Sequence, residues 1–286
     1  MTTRREFLEG SLYMASASYV ASGFSRTRVA SALGRTSSSR SQEVRLKPDA
    51  TLAGAKALVF DVFGTVVDWR TSVATEVRQL ATRKGVTLDA EKFADAWRAG
   101  YGPSMNRVRT GELPWTKLDA LHRMTLDRIL VEFKLTALSE DETRALNLAW
   151  HRLRPWPDSV AGLTKLKKKF IIAPLSNGNI ALMTDLAKHS ALPWDCILGA
   201  ELVRHYKPDR EVYQSAADFL SLEPGAVMMV AAHLGDLRAA KAVGLKTAFV
   251  PRPLEYGPAG KPDLKGDASV DVEAKDFNDL AAKLGA

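Results

Sequence analysis

The run Lys56-Ala57-Leu58-Val59-Phe60-Asp61 constrains the fold of this chain most. It is apolar and β-rich, ends on a carboxylate and is closed by Gly64. A strand this apolar belongs where both faces are covered, as in a parallel sheet between helices. The period then changes. From Thr71 to about Leu153 apolar residues fall at helical spacing, as in Val73, Val77 and Leu80 and later Leu118, Leu121, Met124 and Ile129, with no convincing strand among them. Pro155-Trp156-Pro157 breaks this region. Beyond it, strands over Phe170–Leu175, Ala226–Val230 and Lys246–Val250 alternate with helices over Ile180–Lys188 and Glu211–Leu220. This pattern predicts an α/β protein: a Rossmann-like parallel sheet core over residues 51–70 and 156–286, interrupted after its first strand by an all-helical domain over 71–155.

Composition supports a folded core, with 46% hydrophobic residues. The net charge of +7 is uneven, because residues 1–50 hold eight Lys/Arg against four Asp/Glu. No stripe of basic and aromatic residues recurs, so nucleic acid is not an expected partner. A single cysteine, Cys196, rules out an intrachain disulfide and a multi-thiolate metal site, and its apolar neighbours suit buried packing. Thr3-Arg4-Arg5-Glu6-Phe7-Leu8 resembles a bacterial twin-arginine signal. The mildly apolar stretch Gly10–Phe24 is too short to span a bilayer stably, Ala30-Ser31-Ala32 suits cleavage, and Thr36–Ser41 reads as a linker. Residues 1–50 are therefore expected to be a signal and linker that use the twin-arginine export machinery. The protein would be periplasmic or secreted by that route, and otherwise cytoplasmic.

In open α/β sheets the ligand binds outside the carboxyl ends of the strands. The first strand there delivers Asp61-Val62-Phe63-Gly64-Thr65, and the second Ser176-Asn177-Gly178. The strand ending at Val230 runs into Ala231-Ala232-His233-Leu234-Gly235-Asp236, and Tyr206-Lys207-Pro208-Asp209 precedes the helix before it. Each alone is weak, since an Asp after a strand is usually a turn or cap residue. Together, and in this order, they bring two carboxylates, a hydroxyl–amide pair and a lysine to one edge.

These four segments resemble the four motifs of the haloacid dehalogenase superfamily, over residues 55–286, with the helical insert where that family places its cap. Phe60–Asp68, Leu175–Gly178 and Tyr206–Tyr213 are most similar to the type II (S)-2-haloacid dehalogenases. The resemblance implies a hydrolase that acts on carbon–halide bonds. Its Asp61 nucleophile displaces halide from a small 2-haloacid to give an ester, which water opens to a 2-hydroxyacid. No cofactor and no metal are implied. Superfamily phosphatases carry a second Asp two residues after the nucleophile to protonate a leaving alkoxide. Phe63 stands there and cannot act as an acid, whereas halide leaves without a proton.

Within that reading the roles divide as follows. Lys207 keeps Asp61 ionised and oriented. Asp236 pairs with Lys207 and positions or deprotonates the hydrolytic water, and Thr65 hydrogen-bonds the Asp61 carboxylate. Ser176 suits the substrate carboxylate, Asn177 offers an amide N–H to the departing halide, and Val62 is placed with the substrate-binding set. Tyr213 supports the carboxylates or is a core aromatic. The family draws a halide-binding arginine from the cap, usually after a Trp. Trp97-Arg98 matches this, and Arg107 and Arg109 fit less well.

Two positions depart from the type II pattern, where many members carry Ser and Asn before the last Asp and this chain has Ala231 and His233. A protonated His233 would add a second donor to the halide beside Arg98, with Trp115 narrowing the site, so fluoroacetate would be a slow substrate. His233 as a simple loop brace is the bland reading. Two other functions stay open. One is a magnesium-dependent phosphatase, with Asp61 and Asp236 supplying metal oxygens. The other is a non-catalytic ligand-binding member. A homodimer is allowed, and no stable membrane span is expected.

Overall fold

The computed structural model describes residues 54–286. The signal and linker expected over residues 1–50 lie outside the described residues. The described chain opens with β1 (Ala57–Phe60) and the two-residue β2 (Val67–Asp68). Helices α1 (Trp69–Lys84), α2 (Ala90–Ala99), α3 (Tyr101–Arg109), α4 (Leu118–Glu132) and α5 (Glu140–Asn147) follow, with a 3-10 turn at Leu148–Arg152. Asp68 caps α1 by accepting the Thr71 N–H, and Ser139 and Glu142 form a reciprocal capping box on α5. β3 (Arg154–Pro155) then pairs antiparallel with β2, so a small ribbon forms the neck of the helical excursion.

The second half alternates: α6 (Ser159–Lys167), β4 (Ile171–Ser176), α7 (Ile180–His189), β5 (Leu198–Gly199), α8 (Ala200–Val203), α9 (Arg210–Phe219), β6 (Val227–Ala231), α10 (Leu234–Ala242), β7 (Lys246–Phe249), β8 (Val272–Glu273) and α11 (Phe277–Leu284). The six-stranded sheet has the order β5-β4-β1-β6-β7-β8, and every adjacent pair is parallel. β1 lies between β4 and β6 with all four residues buried. Leu58 and Phe60 join one core with α6, α7 and α11. Ala57 and Val59 face the other, with Val212 and Tyr213 of α9 and Leu237 of α10. This is the period-2 consequence of a strand buried on both sides. Among the described residues no helix is long and apolar enough to cross a membrane. Cys196 is half-buried, and burial pushes its thiol pKa up.

Because the strands are parallel, their carboxyl ends share one edge, and the segments that follow β1, β4 and β6 converge there. One buried ion pair fixes the loop after β1. Arg252 donates from Nε to the Thr65 carbonyl at 2.8 Å, and its two Nη atoms reach the Asp158 carboxylate at 2.7 and 3.0 Å. Asp158 also accepts the Phe277 N–H, and the guanidinium lies 4.7 Å from the Phe277 ring. A planar fork suits this job and an ammonium does not. Removing one member of a buried pair strands the other's charge, so Arg252→Ala is expected to cost about 3–5 kcal/mol, with little rescue by Lys. Urea unfolding measures this. A loss under about 1 kcal/mol, the range of surface pairs, would show that the clamp is not structural.

Candidate active site

Asp61 is the first residue beyond β1, and its N–H still donates to Val230 O at 3.0 Å, which holds it at the sheet edge. Its two carboxylate oxygens have different partners. Oδ1 accepts from Lys207 Nζ at 3.1 Å. Oδ2 accepts from the Thr65 hydroxyl at 2.7 Å and lies 3.1 Å from His233 Nδ1. Thr65 Oγ1 in turn accepts the Ala232 N–H at 2.9 Å, which directs its proton to Asp61. Lys207 Nζ also donates to Asp236 Oδ2 at 2.5 Å, while Tyr213 donates its O–H to Asp236 Oδ1. The Lys207 backbone is anchored separately, its N–H donating to Asn177 Oδ1 at 2.7 Å. Thus the segments after β1, β4 and β6, with the turn before α9, meet in one hydrogen-bonded cluster.

The imidazole of His233 bridges two carboxylates. Its Nε2 lies 3.0 and 2.9 Å from the two oxygens of Glu255, which is 1% exposed and also accepts the Trp69 indole N–H at 3.2 Å. Glu255 comes this close only because residue 64 is glycine. Gly64 has φ +89°, and a Cβ there would stand 2.1 Å from Glu255 Oε1.

The electrostatics follow from these contacts. Burial alone would raise the Asp61 carboxyl, but the Lys207 ammonium and the hydrogen bonds of His233 and Thr65 outweigh it and hold Asp61 well below the usual carboxylate range. Burial would lower the Lys207 ammonium, and its two carboxylates push it up instead. Asp236 moves the other way from Asp61, raised by burial and by the charge of Asp61 despite Lys207. Burial would lower His233, yet Asp61 and Glu255 push it up to about 10. The imidazole is therefore a cation at neutral pH.

A cavity of about 300 Å³ opens over Asp61, lined among others by Phe63, Arg98, Tyr101, Asn177, Lys207, His233 and Asp236. Arg98 stands apart from the other candidate cap arginines. Arg107 pairs with Glu112. Arg109 pairs with Asp209 and also donates to the Tyr206 and Lys207 carbonyls. Among the described residues Arg98 has no carboxylate partner. It lies over the Tyr101 ring at 4.0 Å, with Trp69 at 5.6 Å. An unpaired guanidinium at a cavity wall is a seat for an anion. Phe63 is 2% exposed, set edge-on to Tyr101, His122 and Trp150.

The cavity therefore gathers Asp61, Lys207, Asp236, Asn177, Arg98, Tyr213 and His233, with Thr65 directly behind it. Three expectations need correction. His233 does not serve as a halide donor: both ring nitrogens are engaged by Asp61 and Glu255, leaving no N–H for a leaving group. Ser176 and Val62 are fully buried and do not line the cavity, and Ser176 Oγ accepts the Gly178 N–H at 3.0 Å. Trp115 packs at a tilt against Tyr206 at 4.8 Å, beside a different groove, and does not narrow this one. Sequence reasoning missed Glu255, Trp69 and Tyr101. Glu255 lies in a loop without a motif, and the available signal was only a carboxylate shortly after a strand at the ligand edge. Among the described residues no group of three or more His, Cys, Asp or Glu is arranged to hold a metal ion.

Residues 55–244 match the family model of the haloacid dehalogenase-like hydrolases. The chain belongs to this family. Within it the chain is of the (S)-2-haloacid dehalogenase type. It is 30% identical over 215 residues to (S)-2-haloacid dehalogenase 1 of Pseudomonas sp. (strain CBS-3), covering 70% of this chain and 88% of that protein. The crystal structure of a defluorinating L-2-haloacid dehalogenase shares 50% identity and superposes with a TM-score of 0.79, covering 81% of this chain and 96% of the other. A second L-2-haloacid dehalogenase structure shares 48% identity at a TM-score of 0.77, covering 81% of this chain and all of its own.

For this haloacid dehalogenase-like hydrolase, the His233 cation links stability to pH. Its folded-state pKa is raised from 6.5 to about 10, so its contribution is complete below pH 6.5 and is lost as pH rises through about 10. The gap in Tm between the parent protein and His233→Asn is expected to be widest near pH 6 and to narrow toward pH 10. Thermal melts across that range measure it, and a gap independent of pH would mean that the imidazole is neutral throughout.

Proposed function

We propose that this hydrolase displaces halide from small (S)-2-haloacids through an ester on Asp61, without a metal ion. The observation that carries the reading is the pairing across one cavity of an ionised Asp61 with the unpaired Arg98 cation, while Phe63 fills the place of a phosphatase acid. Asp61 Oδ1 attacks the halogen-bearing carbon from behind, its electron pair forming the O–C bond as halide leaves with the C–X pair. The stereocentre inverts. Arg98 receives the halide, and Asn177, whose carbonyl is tied to Lys207, lines the same space. Water then adds to Asp61 Cγ and gives its proton to Asp236, whose raised pKa suits a transient acceptor. Collapse expels the 2-hydroxyacid alkoxide, which takes that proton back. Asp61 is left as the acid and loses its proton to solvent, with one oxygen now derived from water.

The phosphatase reading lacks its acid, because Phe63 is locked among aromatic rings. The non-catalytic reading leaves unexplained why a buried lysine should hold two carboxylates beside a free cation. Fluoroacetate remains within reach of this site, with leaving-group support from Arg98 and Asn177.

Single turnover with (S)-2-chloropropionate in heavy-oxygen water is expected to label the peptide that carries Asp61, not the first molecule of lactate. It should proceed at the same rate in chelator, and Asp61→Asn should release no halide. Label in the first product would mean direct attack by water. Activity lost to chelator and restored only by magnesium would favour a metal-dependent reaction.

We further propose that Arg4-Arg5 addresses the folded enzyme to twin-arginine export, which suits a protein with one cysteine. Replacing both arginines with lysine should leave the enzyme in the cytoplasmic fraction of a bacterial host. Unchanged fractionation would remove the address.

A further inference from the structure

The two oxygens of Asp61 are not equivalent, and that inequality assigns a role to His233 and Glu255. Among the described residues Oδ1 meets only Lys207, so it is the oxygen with a lone pair to spare for attack. Oδ2 meets two donors, the Thr65 hydroxyl at 2.7 Å and His233 Nδ1 at 3.1 Å. Once Oδ1 is alkylated, Oδ2 is the ester carbonyl oxygen. When water adds to Cγ, the carbonyl π pair moves onto Oδ2. Donors 2.7–3.1 Å from an oxygen that gains charge are the geometry of an oxyanion hole.

We propose that Thr65 and His233, the latter positioned by Glu255, form an oxyanion hole over Asp61 Oδ2 for hydrolysis of the enzyme ester. The proposal rests on the Asp61-ester reading above and names the groups that accelerate its second half. Each donor is fixed before the reaction. Thr65 accepts the Ala232 N–H and so must give its own proton to Oδ2. His233 gives Nε2–H to Glu255, and that carboxylate is itself held by Trp69 and admitted by Gly64, leaving Nδ1–H for Oδ2. Such preorganisation costs nothing at the moment charge develops. No bond to His233 forms or breaks. Water's proton goes to Asp236 and returns to the leaving alkoxide, while the imidazolium keeps its own.

The groups facing His233 are Asp61 at the end of β1, Glu255 and Tyr256 from the loop after β7, and Trp69 of α1 behind Glu255. Asp236 of α10, Lys207 and Arg98 of α2 share the cavity. Alkylation removes the Asp61 charge and leaves Glu255 to keep the imidazole protonated. An oxyanion donor works as the cation, so ester hydrolysis should slow as pH rises through its titration. A general base would show the opposite slope.

The test is a rapid-quench comparison of the parent enzyme, His233→Ala and Glu255→Gln with (S)-2-chloropropionate. It follows halide release and the mass of the Asp61 peptide from neutral to alkaline pH. His233→Ala is expected to release about one halide per site at close to the parent rate. With no side-chain donor left at 233, it should then stall with the adduct on Asp61, its hydrolysis slowed about 10²–10³-fold, the usual loss for one oxyanion donor. Glu255→Gln, with a shape-matched side chain, should keep the fast burst and move the alkaline fall in hydrolysis to lower pH. A slow burst without adduct in both variants would place His233 in the alkylation step and overturn the proposal. So would parent ester hydrolysis that quickens through the imidazole titration. Halide release by the parent enzyme without any adduct or label on Asp61 would remove the ester reading itself, and this inference with it.

Discussion

The Lys207 ammonium, buried between Asp61 and Asp236, is the interaction on which the site depends. All three side chains are nearly removed from water. Desolvating them costs several kcal/mol per ion, repaid only if the geometry is close and the remaining lone pairs are satisfied. Here they are, by Thr65 and His233 on Asp61 and by Tyr213 on Asp236. The cluster also fixes chain topology. Lys207 reaches the sheet edge because Asn177 holds its backbone, and Asn177 is there because β4 is parallel to β1 and ends beside it. The parallel sheet is thus what allows residues 146 positions apart to share a hydrogen bond.

The charges around the cavity balance. Asp61, Asp236 and Glu255 face Lys207, His233 and Arg98, three acidic groups against three basic ones. Nucleophilic displacement does not create charge; it moves it from Asp61 to the halide. A site that has pre-paired Asp61 with Lys207, yet left Arg98 unpaired, is arranged for that transfer. The positive charge that the departing anion needs stands ready on the cap side and is not consumed by the resting enzyme.

Much of this was legible in the sequence, for definite physical reasons. β1, β4 and β6 are largely apolar runs of four to six residues, long enough for burial on both faces to show as composition, while β7 is legible from its place in the strand–helix alternation. β5, β8 and the β2–β3 ribbon have two residues each and carry no period to read. Asp61, Thr65, Lys207 and Asp236 were visible because parallel strands deliver their C-terminal residues to one edge. Arg98 was visible through its family resemblance, and only the partners of Arg107 and Arg109 decided among the three. The roles first given to His233, Ser176 and Trp115 failed because each depends on what a side chain meets across the fold. Glu255, adjacent to the exposed Leu254, has nothing local to distinguish it from a surface carboxylate, although it is nearly inaccessible.

The same contacts relocate the chemistry of the leaving group. With both imidazole nitrogens committed to carboxylates, His233 faces Asp61 and Glu255 and keeps no N–H for an anion. On the proposed reading, support for a poor leaving group such as fluoride, a small and strong acceptor, falls to Arg98. Arg98 is held by ring faces, the Tyr101 and Trp69 π-systems, and not by an anion. Rings steady a guanidinium without saturating its N–H groups, so its donors stay free for a halide. Phe63 and Tyr101 exclude water from the same wall, which strengthens each remaining electrostatic contact. If the proposed roles hold, discrimination among halogens in this site is a matter of how closely α2 brings Arg98 to the departing atom, a property of the helical domain, while the rate of ester opening is set by the core.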